Sequence, residues 1–318
     1  MDHPLIDCIF MRIHLKLLLP TTQEKPLLPP YLQFLTNDFQ RLSSMSPLYH
    51  SVSASQIETV KKSLPHALLL DGPVGIGLLT AAKDIAGTRL STVIYPTDKH
   101  GAIDIQKGTI RIEQIRRLYE TTRSKSTTSR VIIVDDADRM TQSAQHAFLK
   151  LLEEPTPNTQ FMLTAHSPQK LLATVRSRMQ RITLRALNDQ QIQEILNQWP
   201  ALPLEQKNQL LFLAPGLPAE LSRLVQNQSV FEDSVRTIRN ARVLLQGSLS
   251  DKLLLIQQYQ RDRDGALVLL SAARAILEHS LRTKPSLDTI AVADILATVY
   301  DRINANGNIR LQLLLIMV

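Results

Sequence analysis

The 318-residue sequence predicts an α/β fold, a parallel sheet covered by helices, followed by an all-α remainder. Three observations carry this. Between about residues 55 and 185, short apolar runs alternate with helix-period stretches, the pattern of strands buried on both faces and joined by crossover helices. After about residue 187 strand signals vanish and one amphipathic helical pattern follows another. Aromatic residues make up only 4% of the chain against 44% hydrophobic residues, so Leu, Ile, Val and Ala carry the core, which favours helices on a sheet over a β-sandwich.

The elements follow in order. Residues 1–50 contain Pro20, Pro26, Pro29, Pro30 and Pro47 and no sustained period, so they read as an extension, disordered or not native, with Met45 a candidate native start. Ser55 to Ser63 reads as a helix, and Ala67 to Leu70 as a buried strand ending in the turn signal Asp71-Gly72-Pro73. A helix over Leu79 to Ala86 closes at Gly87. Further strands are expected at Thr92 to Tyr95, Val131 to Val134, Phe161 to Thr164 and Ile182 to Leu184, with helices at Ile112 to Thr121 and Ala144 to Glu154. In the last helix Ala144, Ala147, Phe148, Leu151 and Leu152 share one face, Thr141 or Ser143 is available as N-cap, and Pro155 stops it. Helices are then expected over 190–199, 204–214, 218–226, 234–246, 252–260, 265–283, 287–303 and 309–318, punctuated by Pro200, Pro215-Gly216, Gly247 and Pro285.

The formal charge of +7 suits work beside a polyanion, because Lys and Arg displace counterions from phosphates, but it does not by itself establish DNA contact. The single cysteine, Cys8, excludes an internal disulfide and a Cys-rich zinc site. No window reaches the ~18–20 apolar residues of a membrane span, and no signal peptide is evident, so a cytoplasmic protein is expected.

Two segments point to a nucleotide site. Gly72-Pro73-Val74-Gly75-Ile76-Gly77-Leu78-Leu79-Thr80 follows a strand and opens a helix, with glycines spaced as in the phosphate-binding GxxxxGK[ST] loop. Backbone N–H groups there could form an anion nest. The chemistry is missing, however: Leu78 stands where a lysine grips the terminal phosphates, and Leu79 where a hydroxyl holds Mg²⁺. Val131 to Asp136 is an apolar strand ending in two carboxylates, Asp135 and Asp136, which in a working site hold Mg²⁺ through water and polarise the attacking water.

Four blocks in order over about 50 residues complete the pattern: Val131-Ile-Ile-Val-Asp-Asp-Ala-Asp-Arg-Met-Thr, Ala147-Phe-Leu-Lys-Leu-Leu-Glu-Glu-Pro155, Phe161-Met-Leu-Thr and Leu171-Leu-Ala-Thr-Val-Arg-Ser-Arg-Met179. They resemble the signature of clamp-loader subunits of the AAA+ family, of the delta-prime and gamma types of bacterial DNA polymerase III. A weaker resemblance runs from His66 to the C-terminus, including Ile303-Asn-Ala-Asn-Gly-Asn-Ile-Arg-Leu-Gln-Leu.

The resemblance implies a P-loop NTPase-like (AAA+) α/β domain over 51–186, a helical lid over 187–247 and a helical collar over 248–318 that joins a five-membered ring. It implies as partners other clamp-loader subunits of the gamma/tau and delta types, the sliding clamp, and primer-template DNA through the complex, with no membrane. Arg178, in Ser177-Arg178-Met179, matches the arginine finger that stabilises charge on a neighbour's γ-phosphate, with Arg176 as alternate. Methionine replaces the usual cysteine at 179, His166 stands near the sensor-1 position as a structural or solvent-facing residue, and Ala219 lies about where active subunits carry a sensor-2 arginine. The absent lysine, hydroxyl and sensor-2 arginine together favour a delta-prime role without cofactor, hence no intrinsic ATPase, within the DNA-directed DNA polymerase assembly. The alternatives are an ATP-hydrolysing gamma/tau-type subunit using another cation such as Lys83, and a plain DNA-binding adaptor.

Overall fold

The computed structural model describes residues 49–317 apart from 106, 124–128, 155, 198–201 and 284–285. The extension over most of 1–50, Cys8, the Met45 start, and the punctuating Pro155, Pro200 and Pro285 fall outside the described residues.

The expected fold class is found. The α/β part runs α1 (Ser51–Lys62), β1 (Ala67–Asp71), α2 (Leu78–Ala86), β2 (Leu90–Ile94), α3 (Ile112–Arg123), β3 (Arg130–Val134), α4 (Gln142–Glu153), β4 (Thr159–Ala165), α5 (Ala173–Arg176) and β5 (Gln180–Thr183). The five strands form one sheet in the order β2-β3-β4-β1-β5, and every pairing is parallel. Because successive side chains in a strand point to opposite faces, each apolar run feeds two cores at once. Leu69, Ile132, Val134, Phe161 and Leu163 join one core with Ile115, Ala144, Phe148 and Val175 from α3, α4 and α5. Leu68, Leu70, Val131, Ile133 and Met162 join the other with Ile57, Ala81 and Ile85 from α1 and α2. That double burial is why these strands read as unbroken apolar runs rather than alternating ones.

The amphipathic α4 packs as its spacing requires. Ala144, Phe148, Leu151 and Leu152 are buried, and Phe148 meets Phe161 of β4 edge to face at 5.4 Å. Thr141 is the N-cap, its hydroxyl accepting from the Ala144 N–H at 3.3 Å.

Among the described residues, eight helices follow: α6 (Asp189–Asn197), α7 (Leu204–Leu213), α8 (Pro218–Gln226), α9 (Gln228–Gln246), α10 (Leu249–Tyr259), α11 (Arg263–Thr283), α12 (Leu287–Asn304) and α13 (Ile309–Leu314). α9 begins six residues before its expected start at 234, because the Asn227 side chain caps it by accepting from the Val230 N–H. Ala241 and Leu244 at its far end join α10 to α13 in a third core around Leu255, Leu269, Leu296 and Leu313.

Candidate functional site

In open parallel sheets, ligands meet the C-terminal strand ends where the strand order reverses. Here β1, β3 and β4 deliver the glycine loop, Asp135 and His166 to that edge. The loop keeps the backbone geometry of a cradle. Gly75 and Gly77 have φ of +84° and +94°, values that side-chain-bearing residues rarely adopt, and Gly77 opens α2 from the left-handed region. Gly72 is excluded from substitution by space: a Cβ there would lie 2.8 Å from the Leu184 carbonyl oxygen.

The two side chains that would face the phosphates are apolar and turned into the core. Leu78 is 3% exposed and packs with Ala81, Ala82 and Ile85 in the core beneath the sheet, and Leu79 packs partly against the same core. Neither position supplies a cation or a hydroxyl. Lys83 is exposed in the last turn of α2, away from the loop end of that helix. Meanwhile the first turn of α8 is docked on the loop: the Ala219 and Glu220 N–H groups both donate to the Gly75 carbonyl, at 3.1 and 3.0 Å. A carbonyl here satisfies two of the orphan donors that a helix N-terminus leaves. The packing is close, since a Cβ on Gly77 would meet the Ala219 Cβ at 3.3 Å. Ala219 thus fills contact space against the loop, and Arg223, one turn on, holds Glu220 through two hydrogen bonds of 2.6 and 2.9 Å.

The paired carboxylates are both in place at the end of β3, in different settings. Asp135 is 8% exposed and accepts from the Thr164 hydroxyl at 2.7 Å, while the Asp136 N–H donates to the same hydroxyl at 2.9 Å. Burial pushes the Asp135 carboxyl above its ordinary value; the Thr164 hydrogen bond opposes this and the neighbouring Asp136 charge adds to it. Asp136 has φ of +49°, a conformation aspartate tolerates, and its carboxylate faces Arg139 and His166, each at 3.6 Å. His166, expected as structural or solvent-facing, makes specific contacts: its Nδ1 donates to the Gly72 carbonyl at 2.9 Å, and Asp138 accepts from its backbone N–H. Among the described residues no group of three or more His, Cys, Asp or Glu could hold a metal ion.

Arg178 lies just beyond α5. Val175 and Met179 bury into the sheet core, so the methionine at the usual cysteine position serves as an anchor. Gln145 of α4 fixes the approach, donating to the Met140 and Lys170 carbonyls and accepting from the Leu172 N–H at 2.7 Å. The Arg178 side chain is 41% exposed and pairs with Glu153 at 2.9 Å, with a second bond to the Thr174 carbonyl. Arg176 instead turns its Nε into the protein, where it has no hydrogen-bond partner among the described residues.

A contact that the sequence reading did not single out closes the sheet edge. Asp71, 4% exposed at the end of β1, receives two bonds from Arg181 of β5, at 2.7 and 2.8 Å, and one from the Thr183 hydroxyl. The available signal was an acidic residue directly after four apolar ones at a strand end.

Comparison with known proteins agrees with the resemblance. The family model described as DNA polymerase III, delta subunit, matches residues 94–188. DNA polymerase III subunit delta' of Haemophilus influenzae is 29% identical over 49% of this chain and 51% of its own length. The Pseudomonas aeruginosa subunit delta' is 27% identical over 58% and 63%. Replication factor C subunit 3 of Saccharomyces cerevisiae is 32% identical over 43% and 42%. The chain spans about half the length of the Haemophilus relative. A DNA polymerase III gamma subunit-related protein from Thermotoga maritima shares the fold, with a TM-score of 0.53 at 19% identity over 83% of this chain and 96% of that one. In sequence the chain resembles delta-prime subunits.

Proposed function

We propose, from that likeness, that this chain is a clamp-loader subunit of the delta-prime type: a ring member that does not hydrolyse ATP and lends Arg178 to a nucleotide bound by its neighbour. The observation that carries the reading is Leu78, buried at 3% exposure where the phosphate-gripping lysine would stand. A leucine inside the core cannot reach a phosphate, and the α8 turn docked on Gly75 leaves the loop serving as a packing surface. The arginine, by contrast, remains half exposed on an anchored segment. Its Glu153 partner is a single surface carboxylate, a weak pair that the greater charge of a γ-phosphate can displace.

The domain division follows the same reading. Residues 51–186 form the AAA+ module, 187–247 the lid and 248–318 the collar. Supporting the collar role, Leu249, Leu254, Val268, Leu287 and Leu311 are large apolar side chains more than half exposed on its helices, a surface suited to burial against neighbours. The partners are then gamma/tau- and delta-type subunits, the sliding clamp, and primer-template DNA reached through the complex. No described helix is long and apolar enough to cross a membrane, and the net charge of +7 suits work beside nucleic acid in the cytoplasm.

The test has two arms. The purified chain should show no ATPase, and Arg178→Ala should lower the ATPase of the reconstituted complex by at least about tenfold, in line with the weight of arginine fingers. Unchanged complex activity would remove the role. Sub-millimolar MgATP binding to the chain alone, by calorimetry, would favour the gamma/tau-type alternative.

A further inference from the structure

Away from the nucleotide loop, α7 and α9 run side by side and leave a groove of about 390 Å³ between them. On α9 the lining residues Val235, Ile238, Arg239 and Arg242 fall at i, i+3, i+4 and i+7, one continuous face. The facing stripe of α7 has the same spacing and ends on Phe212. The floor is therefore apolar, and one rim is cationic.

The two arginines differ from others nearby. Arg223, Arg236 and Arg274 each hold a carboxylate of their own helix. Among the described residues, Arg239 and Arg242 have no ion-pair partner. The Arg242 guanidinium instead lies over the Phe212 ring, 5.8 Å from its centroid, which orients it at the groove's edge.

We propose that this groove is a docking site for a short segment of a partner protein that carries an apolar side chain beside a carboxylate. The carboxylate would take the planar guanidinium fork bidentately. The apolar side chain would displace water from the floor made by Phe212, Leu213, Val235 and Ile238. Asn208 and Gln209 on the α7 side offer both donors and acceptors for the segment's peptide groups. A nucleic acid fits less well, because a phosphate gains nothing from the apolar floor. The volume is at the small end of ligand pockets, room for a few side chains rather than a folded surface. This site is independent of the ring assignment, and the chain alone suffices to test it.

The experiment is an array of pentapeptides in which carboxylates and apolar side chains are varied separately, probed with the full chain and with Arg239→Glu/Arg242→Glu. Peptides with both features should bind, and the double variant should bind them about tenfold more weakly, with unchanged circular dichroism. A second variant, Val235→Trp, fills the floor without touching charge and should also weaken binding. The proposal is overturned by binding that follows negative charge alone, by binding indifferent to both variants, by equal binding of a single-stranded oligonucleotide through the same arginines, or by no peptide binding.

Discussion

His166 joins two separate strand ends: its Nδ1 lies 2.9 Å from the Gly72 carbonyl oxygen, and its Nε2 faces the Asp136 carboxylate at 3.6 Å. A carbonyl only accepts, so Nδ1 carries the hydrogen, and this bond ties the glycine loop to the end of β4. His166→Ala should cost about 1 kcal/mol, the scale of one lost hydrogen bond. It should also speed amide exchange across residues 72–79, read by hydrogen-exchange mass spectrometry. Exchange no faster than in the parent would show that the ring does not hold the loop.

Leu78→Lys restores the missing cation on paper. Its position in the core predicts a different result, because an ammonium placed there must desolvate or drag its segment outward. The variant should lose about 2–4 kcal/mol in urea unfolding, and calorimetry should detect no MgATP binding. A stable variant that binds nucleotide would mean the loop can reopen when given its lysine.

Much of this site is legible in the chain because its signals are local. The glycine spacing, the apolar runs of β1 and β3, the Ala144 to Leu152 stripe and the paired Asp135 and Asp136 are each contained in a short window, and each occupies the predicted element. What escaped depends on register across long separations. Asp71 meets Arg181 only because β1 and β5 pair in parallel with Leu69 opposite Arg181, 112 residues along the chain. The docking of Ala219 and Glu220 on Gly75 depends on where a later helix packs, and nothing in the local pattern of α8 announces it. Gln145 reads as a polar residue beside a core face, yet its buried amide ties three backbone groups and so positions the segment bearing Arg178.

Arg181→Ala would strand the Asp71 carboxylate at 4% exposure with only the Thr183 hydroxyl. The guanidinium is itself half exposed, so solvent screens the pair and part of the loss is recovered by water. A destabilisation of about 1–2 kcal/mol is expected in chemical unfolding, and Asp71→Asn in the same background should recover part of it by removing the uncompensated charge.

The Arg178 and Glu153 pair carries little stability. Both side chains are largely in water, at 41% and 51% exposure, and exposed pairs contribute at most ~1 kcal/mol. Arg178→Ala should leave the unfolding midpoint of the isolated chain almost unchanged. A loss of several kcal/mol would mark the arginine as structural and detach it from any role towards a neighbour.

Asp135→Asn tests the buried carboxyl. Burial raises its folded value above that of the unfolded chain, so on raising pH the unfolded chain releases this proton first. The stability this group contributes is complete below the unfolded value of about 3.9 and is lost as pH rises through the raised folded value. Asparagine imitates the protonated form, and its Oδ1 can still accept from the Thr164 hydroxyl that now bonds the carboxylate at 2.7 Å. The variant should therefore be more stable than the parent at pH 7, with a higher Tm, and the gap should close as pH falls towards 4. A variant less stable than the parent at neutral pH would mean that the ionised carboxylate is compensated there, and that desolvation does not govern this position.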